Sequence, residues 1–251
     1  MLLKINYWIR FLLLYKNWFQ IILNRLKKTN TKTIVFRNNL KLVGSDTTPL
    51  STVVDEIFVL QRYTPSYLKI KQGDIVVDIG AHVGSFSLFA SLMGALQVYA
   101  YEPDKSTFEM LTKNIRNNNI CNVKINNYAI TDKTGTIKLY SSKNNGGSSI
   151  YKTDNSASLN FVNSLRLADI FRINNLDKID FLKVDCEGGE GLIINSTNKQ
   201  VLSHINKISL EYHNNVSILT SMQIIKILKE NGFKVETLPT NRMIGYIYAT
   251  K

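Results

Sequence analysis

Between residues 74 and 117 the chain alternates two patterns. DIVVDIG (residues 74–80) and QVYAY (residues 97–101) are apolar runs of strand length. Residues 86–93 and 104–117 carry apolar side chains at helical spacing, the second with Asp104 at its N-cap and a Phe108, Leu111, Ile115 stripe. Strands separated by helices pair in parallel through right-handed crossovers, so the helices cover both faces of one sheet. The pattern then continues. Residues 123–130, IDFLKVD (179–185) and residues 205–212 read as strands. Residues 218–231 read as a helix stopped by Gly232, and FKVETL and MIGYIYA as a closing antiparallel pair. Before the alternation, TIVFRNNLKL (33–42) predicts a hairpin around Asn38 and Asn39. Residues 53–63 predict a helix with Asp55 and Glu56 in its first turn.

A mostly parallel sheet binds ligands beyond the carboxyl ends of its strands, where strand order reverses. The first strand-end loop is VVDIGAHVGSF, with Asp78, Gly80 and Gly84 spaced D-x-G-x-x-x-G. Glycine permits a sharp turn and a close ligand approach, and the following helix N-terminus favours an anionic group. A nicotinamide fingerprint would read G-x-G-x-x-G, which is missing here. An acid at this strand end suits a ligand carrying both a cation and a carboxylate, as the methionine end of S-adenosylmethionine does. The second strand ends in YAYEP. Its Glu102 lies 24 residues after Asp78, a place from which a carboxylate accepts both hydroxyls of a ribose.

These residues resemble the FkbM family of S-adenosylmethionine-dependent methyltransferases. VVDIGAHVGSFSL, YAYEP, LKVDCEGGE and ISLEYH carry the resemblance, which spans residues 56–248; DCEGGE is its most specific part. It implies an α/β, Rossmann-like class I methyltransferase fold: a mostly parallel seven-stranded sheet, helices on both faces and a C-terminal antiparallel strand. It implies O-methylation of a hydroxyl on a sugar, glycan or glycolipid acceptor. For the cofactor it implies contacts from Asp78, Gly80, Ala81, His82, Gly84, Glu102 and Pro103, with Asn127 and Tyr128 near the adenine. For His82, the backbone is expected to matter rather than the ring. On this reading residues 51–251 are the methyltransferase domain, and residues 1–50 an N-terminal helical extension with a short hairpin.

The implied sheet sets the strand ending at Asp78 beside the one ending at Asp185. Asp185, Glu187, Glu211 and His213 then gather at one opening. His213, with an ordinary pKa of about 6.5, and Asp185 are the candidate bases; Glu187 and Glu211 are candidate substrate positioners. A divalent cation on Asp185, Glu211 and His213 is a second reading. Glu190 is expected in the first turn of the next helix, where it favours the dipole. Lys183 is expected to neutralise a nearby acid, Cys186 to fill space, and His204 to lie on the surface. Amino-methylating enzymes commonly carry D/N-P-P-Y/F where this chain has DCEG, which argues for oxygen as the target. The polar loop SSKNNGGSS (141–149) is either a lid or an ordinary connection.

Composition limits the remaining classes. The chain has 251 residues, 44% hydrophobic and 20% charged, and a net charge of +12. Its Lys and Arg residues are dispersed, which makes nucleic acid the weaker partner and a small-molecule or glycan acceptor the stronger. Cys121 and Cys186 are too far apart in sequence to suggest a disulfide framework or a zinc pair, so a cytoplasmic protein is expected. The apolar N-terminus is interrupted by Lys4, Arg10 and Lys16 and offers no uninterrupted span of about 20 residues. It reads as helices covering the domain, or as a peripheral contact with a membrane helped by Trp8, Trp18 and the Arg25, Lys27, Lys28 cluster. Nothing in the sequence fixes an oligomeric state.

Overall fold

The computed structural model describes residues 2–27, 31–45, 50–142, 147–154 and 156–251. Its central sheet has seven strands: β1 (Ile75–Ile79), β2 (Gln97–Tyr101), β3 (Val123–Asn126), β4 (Phe181–Val184), β5 (Lys207–His213), β6 (Lys234–Pro239) and β7 (Ile244–Thr250). Their order is β3-β2-β1-β4-β5-β7-β6. β7 pairs antiparallel with both β5 and β6, and every other neighbouring pair is parallel. Strand order therefore reverses between β1 and β4, and the loops after these strands face one ligand site. Central strands are buried on both faces, as their unbroken apolar runs require; all four residues of β4 are buried, Lys183 included. Val76, Val98, Phe181, Phe86 and Leu88 pack on one face. Val77, Leu182, Val184, Ile193 and Ile224 pack on the other.

Two expected elements are redrawn. Residues 123–130 are not one strand: the chain leaves the sheet after Asn126 and re-enters a second, four-stranded sheet at Ala129–Thr131. That sheet also contains Gly135–Ser142, Ser148–Ser149 and the long Ser156–Arg166, whose polar sequence gave little strand signal. Residues 53–63 are not one helix: an α-helical turn, Leu50–Val54, passes into a π-helical turn, Asp55–Val59. The C-terminal helix starts later than residue 218, at Ser221, because Thr220 caps it by accepting from the Gln223 N–H.

The N-terminal segment packs on the main core. Helices Leu2–Leu14 and Trp18–Arg25 and the hairpin Thr33–Val35/Lys41–Val43 bury Phe11, Tyr15, Ile21, Ile34, Phe36 and Leu42 in one cluster with Val76 and Phe86. Buried Asp55 anchors the arrangement: it accepts from Tyr15 Oη at 2.7 Å, pairs with Arg25 and is hydrogen-bonded by Tyr7. Among the described residues, no helix is long and apolar enough to cross a membrane. Cys121 and Cys186 are free thiols.

Candidate active site

A cleft with about 1240 Å³ of empty volume, partly open to solvent, lies over the carboxyl ends of β1, β2, β4 and β5. At its glycine-loop end, the chain turns sharply after β1. Gly80 has φ +73, and a Cβ there would lie 1.7 Å from the carbonyl oxygen of Asp185. Gly84, at φ +91, packs on Leu111, where a Cβ would meet the end of the side chain at 2.5 Å. Both positions exclude a side chain. His82 adopts φ +52 and donates its backbone N–H to Glu102 Oε2 at 2.9 Å; Asp104 N–H donates to Glu102 Oε1 at 2.9 Å. Burial, outweighing these two bonds, pushes the Glu102 pKa up to about 7. Ser85 begins helix Ser85–Leu92 and lines the cleft. Its hydroxyl is buried and has no protein partner, which suits an incoming carboxylate at a helix N-terminus.

The carboxylate end is built from side chains. Tyr63 Oη lies 2.8 Å from Asp185 Oδ2 and 2.6 Å from Glu211 Oε2. One phenol proton serves only one carboxylate. The trio is satisfied when protonated Glu211 donates to Tyr63 and Tyr63 donates to Asp185. The charges agree. Burial, then the charge of Asp185, pushes Glu211 up to about 8. Burial acts to raise Asp185 as well, but Lys183, His213 and the Tyr63 hydroxyl outweigh it and hold Asp185 below the ordinary carboxylate range. Lys183 lies 3.2 Å from Asp78 and 3.6 Å from Asp185, and donates to the Gly80 carbonyl at 2.7 Å. It therefore does neutralise nearby acids.

His213 differs from the expected free base. It is buried, with Nδ1 3.1 Å from Glu190 Oε1 and Nε2 3.6 Å from Glu187 Oε2. Burial acts to lower its pKa, but Glu190 and the other acids override this and raise it to about 10. At neutral pH the ring is an imidazolium, which cannot accept a proton. Glu190 is in the first helical turn as expected, but is fully buried; it also accepts from the Cys186 and Gly188 N–H groups. His82 is the opposite case: burial brings its ring down to about 4, so it is neutral.

Ten of the thirteen expected site residues line this cleft: Gly80, Ala81, His82, Glu102, Pro103, Tyr128, Asp185, Glu187, Glu211 and His213. Three sit elsewhere. Asp78 is fully buried behind the loop, between Lys183 and Ser87, whose hydroxyl donates to it at 2.6 Å. Gly84 faces Leu111. Asn127 lines an adjoining groove and spends its amide on the carbonyls of Glu102 and Pro103. Sequence reading missed Tyr63, Ser85 and Glu56, which also line the cleft; Tyr63 and Glu56 lie in no motif, whereas Ser85 lies within VVDIGAHVGSF, one residue past Gly84. Cys186 is a space-filler, its thiol pushed up by burial, and His204 is on the surface. Gly147 and Ser148 cover one side of the cleft, and Ser149 donates to the Glu187 carbonyl; residues 143–146 of the SSKNNGGSS loop lie outside the described residues. Among the described residues, the set within reach of a cation is Asp185, Glu190 and His213, with ligand atoms within 4.8 Å of one another; Glu211, turned to Tyr63, is not in it. Here the positive charge of His213 already answers Glu190.

Comparison with known proteins gives the family. Residues 78–235 match the model of the Methyltransferase FkbM domain. The chain is 22% identical over 211 residues to 31-O-demethyl-FK506 methyltransferase FkbM of Streptomyces tacrolimicus, covering 72% of this chain and 80% of the relative. It is 23% identical over 239 residues to Methyltransferase sdnD of Sordaria araneosa, covering 82% and 91%. The solved structure of Methyltransferase FkbM from Methylobacillus flagellatus KT shares the fold at TM-score 0.52 and 15% identity, over 72% of this chain and 44% of that one. The chain belongs to the FkbM family of methyltransferases, with S-adenosylmethionine as its methyl donor.

Proposed function

We propose that the protein methylates a hydroxyl oxygen of a sugar, glycan or glycolipid. The observation that carries this reading is the carboxylate end of the cleft: Asp185, Glu187 and Glu211 stand at one opening, backed by Tyr63. Carboxyl oxygens, ionised in Asp185 and protonated in Glu211, accept hydrogen bonds from hydroxyls. The Streptomyces relative bears a name that specifies an O-demethylated substrate of its own.

The glycine-loop end suits the donor. Glu102 would take the ribose hydroxyls, the backbone from Gly80 to His82 would hold the donor, Ser85 and its helix N-terminus would take the carboxylate, and Tyr128 would hold the adenine. Asp78 acts indirectly, by fixing Lys183 beneath the loop. When bound, the cofactor would supply a sulfonium methyl group open to in-line attack by an acceptor oxygen, its S–C bond breaking as the O–C bond forms and a neutral thioether leaving. The protein aligns the hydroxyl and excludes water, and positioning supplies most of the rate. Asp185 is the base: it is ionised at neutral pH, faces the cleft and takes the hydroxyl proton as the O–C bond forms. Glu187 and Glu211 hold neighbouring hydroxyls. His213, already protonated, fixes Glu190 and faces Glu187.

The test is to label a glycan and glycolipid extract with tritiated methyl donor and purified protein. Label recovered as an acid-released O-methyl sugar, resistant to protease and ribonuclease, supports the reading. Label removed by ribonuclease or protease rejects it.

A further inference from the structure

We infer that helix Leu2–Leu14 is an interfacial anchor that seats the protein on an anionic lipid surface. The helix has two apolar faces. One, with Phe11 fully buried and Tyr7 half-buried, packs on the domain. The other carries Ile5, Trp8, Ile9, Leu12 and Leu13, at i, i+3, i+4, i+7 and i+8, which is one continuous helical stripe. All five are 40–67% exposed. A helix needing only to cover a domain would present polar side chains there. Phe19 and Leu26, around the second helix, are exposed as well.

Charge selects the occupant. Basic residues are dispersed along the chain, but acidic ones are not: the first is Asp46. Residues 1–45 contain nine Lys or Arg and no Asp or Glu, so they hold +9 of the chain's +12. Arg25 is answered by Asp55, whereas Arg10, Lys16 and Arg37 are exposed and bond to neutral oxygens of Val59, Asn39 and Leu12. A second copy on this face would set like charge against like. Nucleic acid would answer the charge but leave the aliphatic stripe in water. An anionic bilayer answers both: the stripe enters the headgroup boundary while the cations meet lipid phosphates. Arg10 and the Tyr7/Tyr15 pair also tie the helix to the Asp55–Val59 turn, from which Glu56 and Ile57 line the cleft. The docked face is thus one structural layer from the active site. This inference does not depend on the acceptor proposed above.

The test is sedimentation of the full chain with vesicles of phosphatidylcholine alone or with phosphatidylglycerol added. Three proteins are compared: the native sequence, Trp8→Ser/Leu13→Gln, and Lys16→Gln/Arg37→Gln. Melting temperature and donor affinity, unchanged in both variants, certify the fold. The expected result is binding to the anionic vesicles, weakened about 10-fold or more by either variant and reduced by salt. Three results would overturn the inference: no binding to anionic vesicles; a native dimer that the apolar variant makes monomeric; or oligonucleotide binding that survives the apolar variant while vesicle binding is absent.

Discussion

The two ends of the cleft are built from different materials. At the glycine-loop end, backbone does most of the work: Gly80 and Gly84 leave no room for a side chain, and two backbone N–H groups hold Glu102. At the carboxylate end, side chains hold side chains: Tyr63 joins Asp185 to Glu211, and Glu190 holds His213. A backbone-built site fails by steric overlap and tolerates little variation. A side-chain-built site changes its protonation and its preference for acceptors while its frame stands. This fits a common donor used with differing acceptors.

Substitutions can break that contrast, and the largest effect is expected at Gly80. Gly80→Ala would press a methyl onto the Asp185 carbonyl at a φ that side chains resist, costing about 3 kcal/mol or more. Calorimetry with the methyl donor should find at least ~100-fold weaker binding, or an unfolded chain. Asp185→Asn should do the reverse, lowering kcat ~10²–10⁴-fold while donor affinity stays within about 3-fold; equal loss of both would mean that the two ends are one site. Glu190→Gln should come next. His213 has a folded pKa raised to about 10 against about 6.5 unfolded, so the stability it lends is complete below pH ~6.5 and is lost as pH rises through ~10. The variant should therefore lose about 3 kcal/mol, most of it below pH ~6.5, in denaturant titrations, and imidazole resonances should show His213 titrating near its ordinary value. The smallest effect is expected for Tyr63→Phe: about 1 kcal/mol, read as up to ~10-fold in kcat with donor affinity intact.

How far the sequence shows these parts follows the same contrast. The glycine loop, the acid ending β2 and the acid-rich end of β4 are local patterns, and each is visible within ten residues. The alternation of strands and helices likewise gives the parallel sheet and its antiparallel closing strand. What sequence hides is long-range. Tyr63 meets partners more than a hundred residues away. The Glu190–His213 pair reverses the ionisation expected of a histidine from its unperturbed pKa, and only folding brings the two together. Ser156–Arg166 becomes a strand because Gly135–Ser142 supplies its ladder; its own serines and asparagines favour no strand. The chain leaves β3 after Asn126 because Asn127 turns to cap the carbonyls of Glu102 and Pro103, a contact across two strands.

The missing side chain at Gly80 has a kinetic consequence. The glycine loop, which holds the donor in the reading proposed above, and the loop that presents Asp185 touch backbone to backbone, so a shift of one presses on the other. Filling the donor side sets the wall against which the acceptor is gripped. Turnover will accordingly follow an ordered sequence, donor on first and demethylated cofactor off last. In steady-state assays, that product will compete with the donor and act non-competitively toward the acceptor.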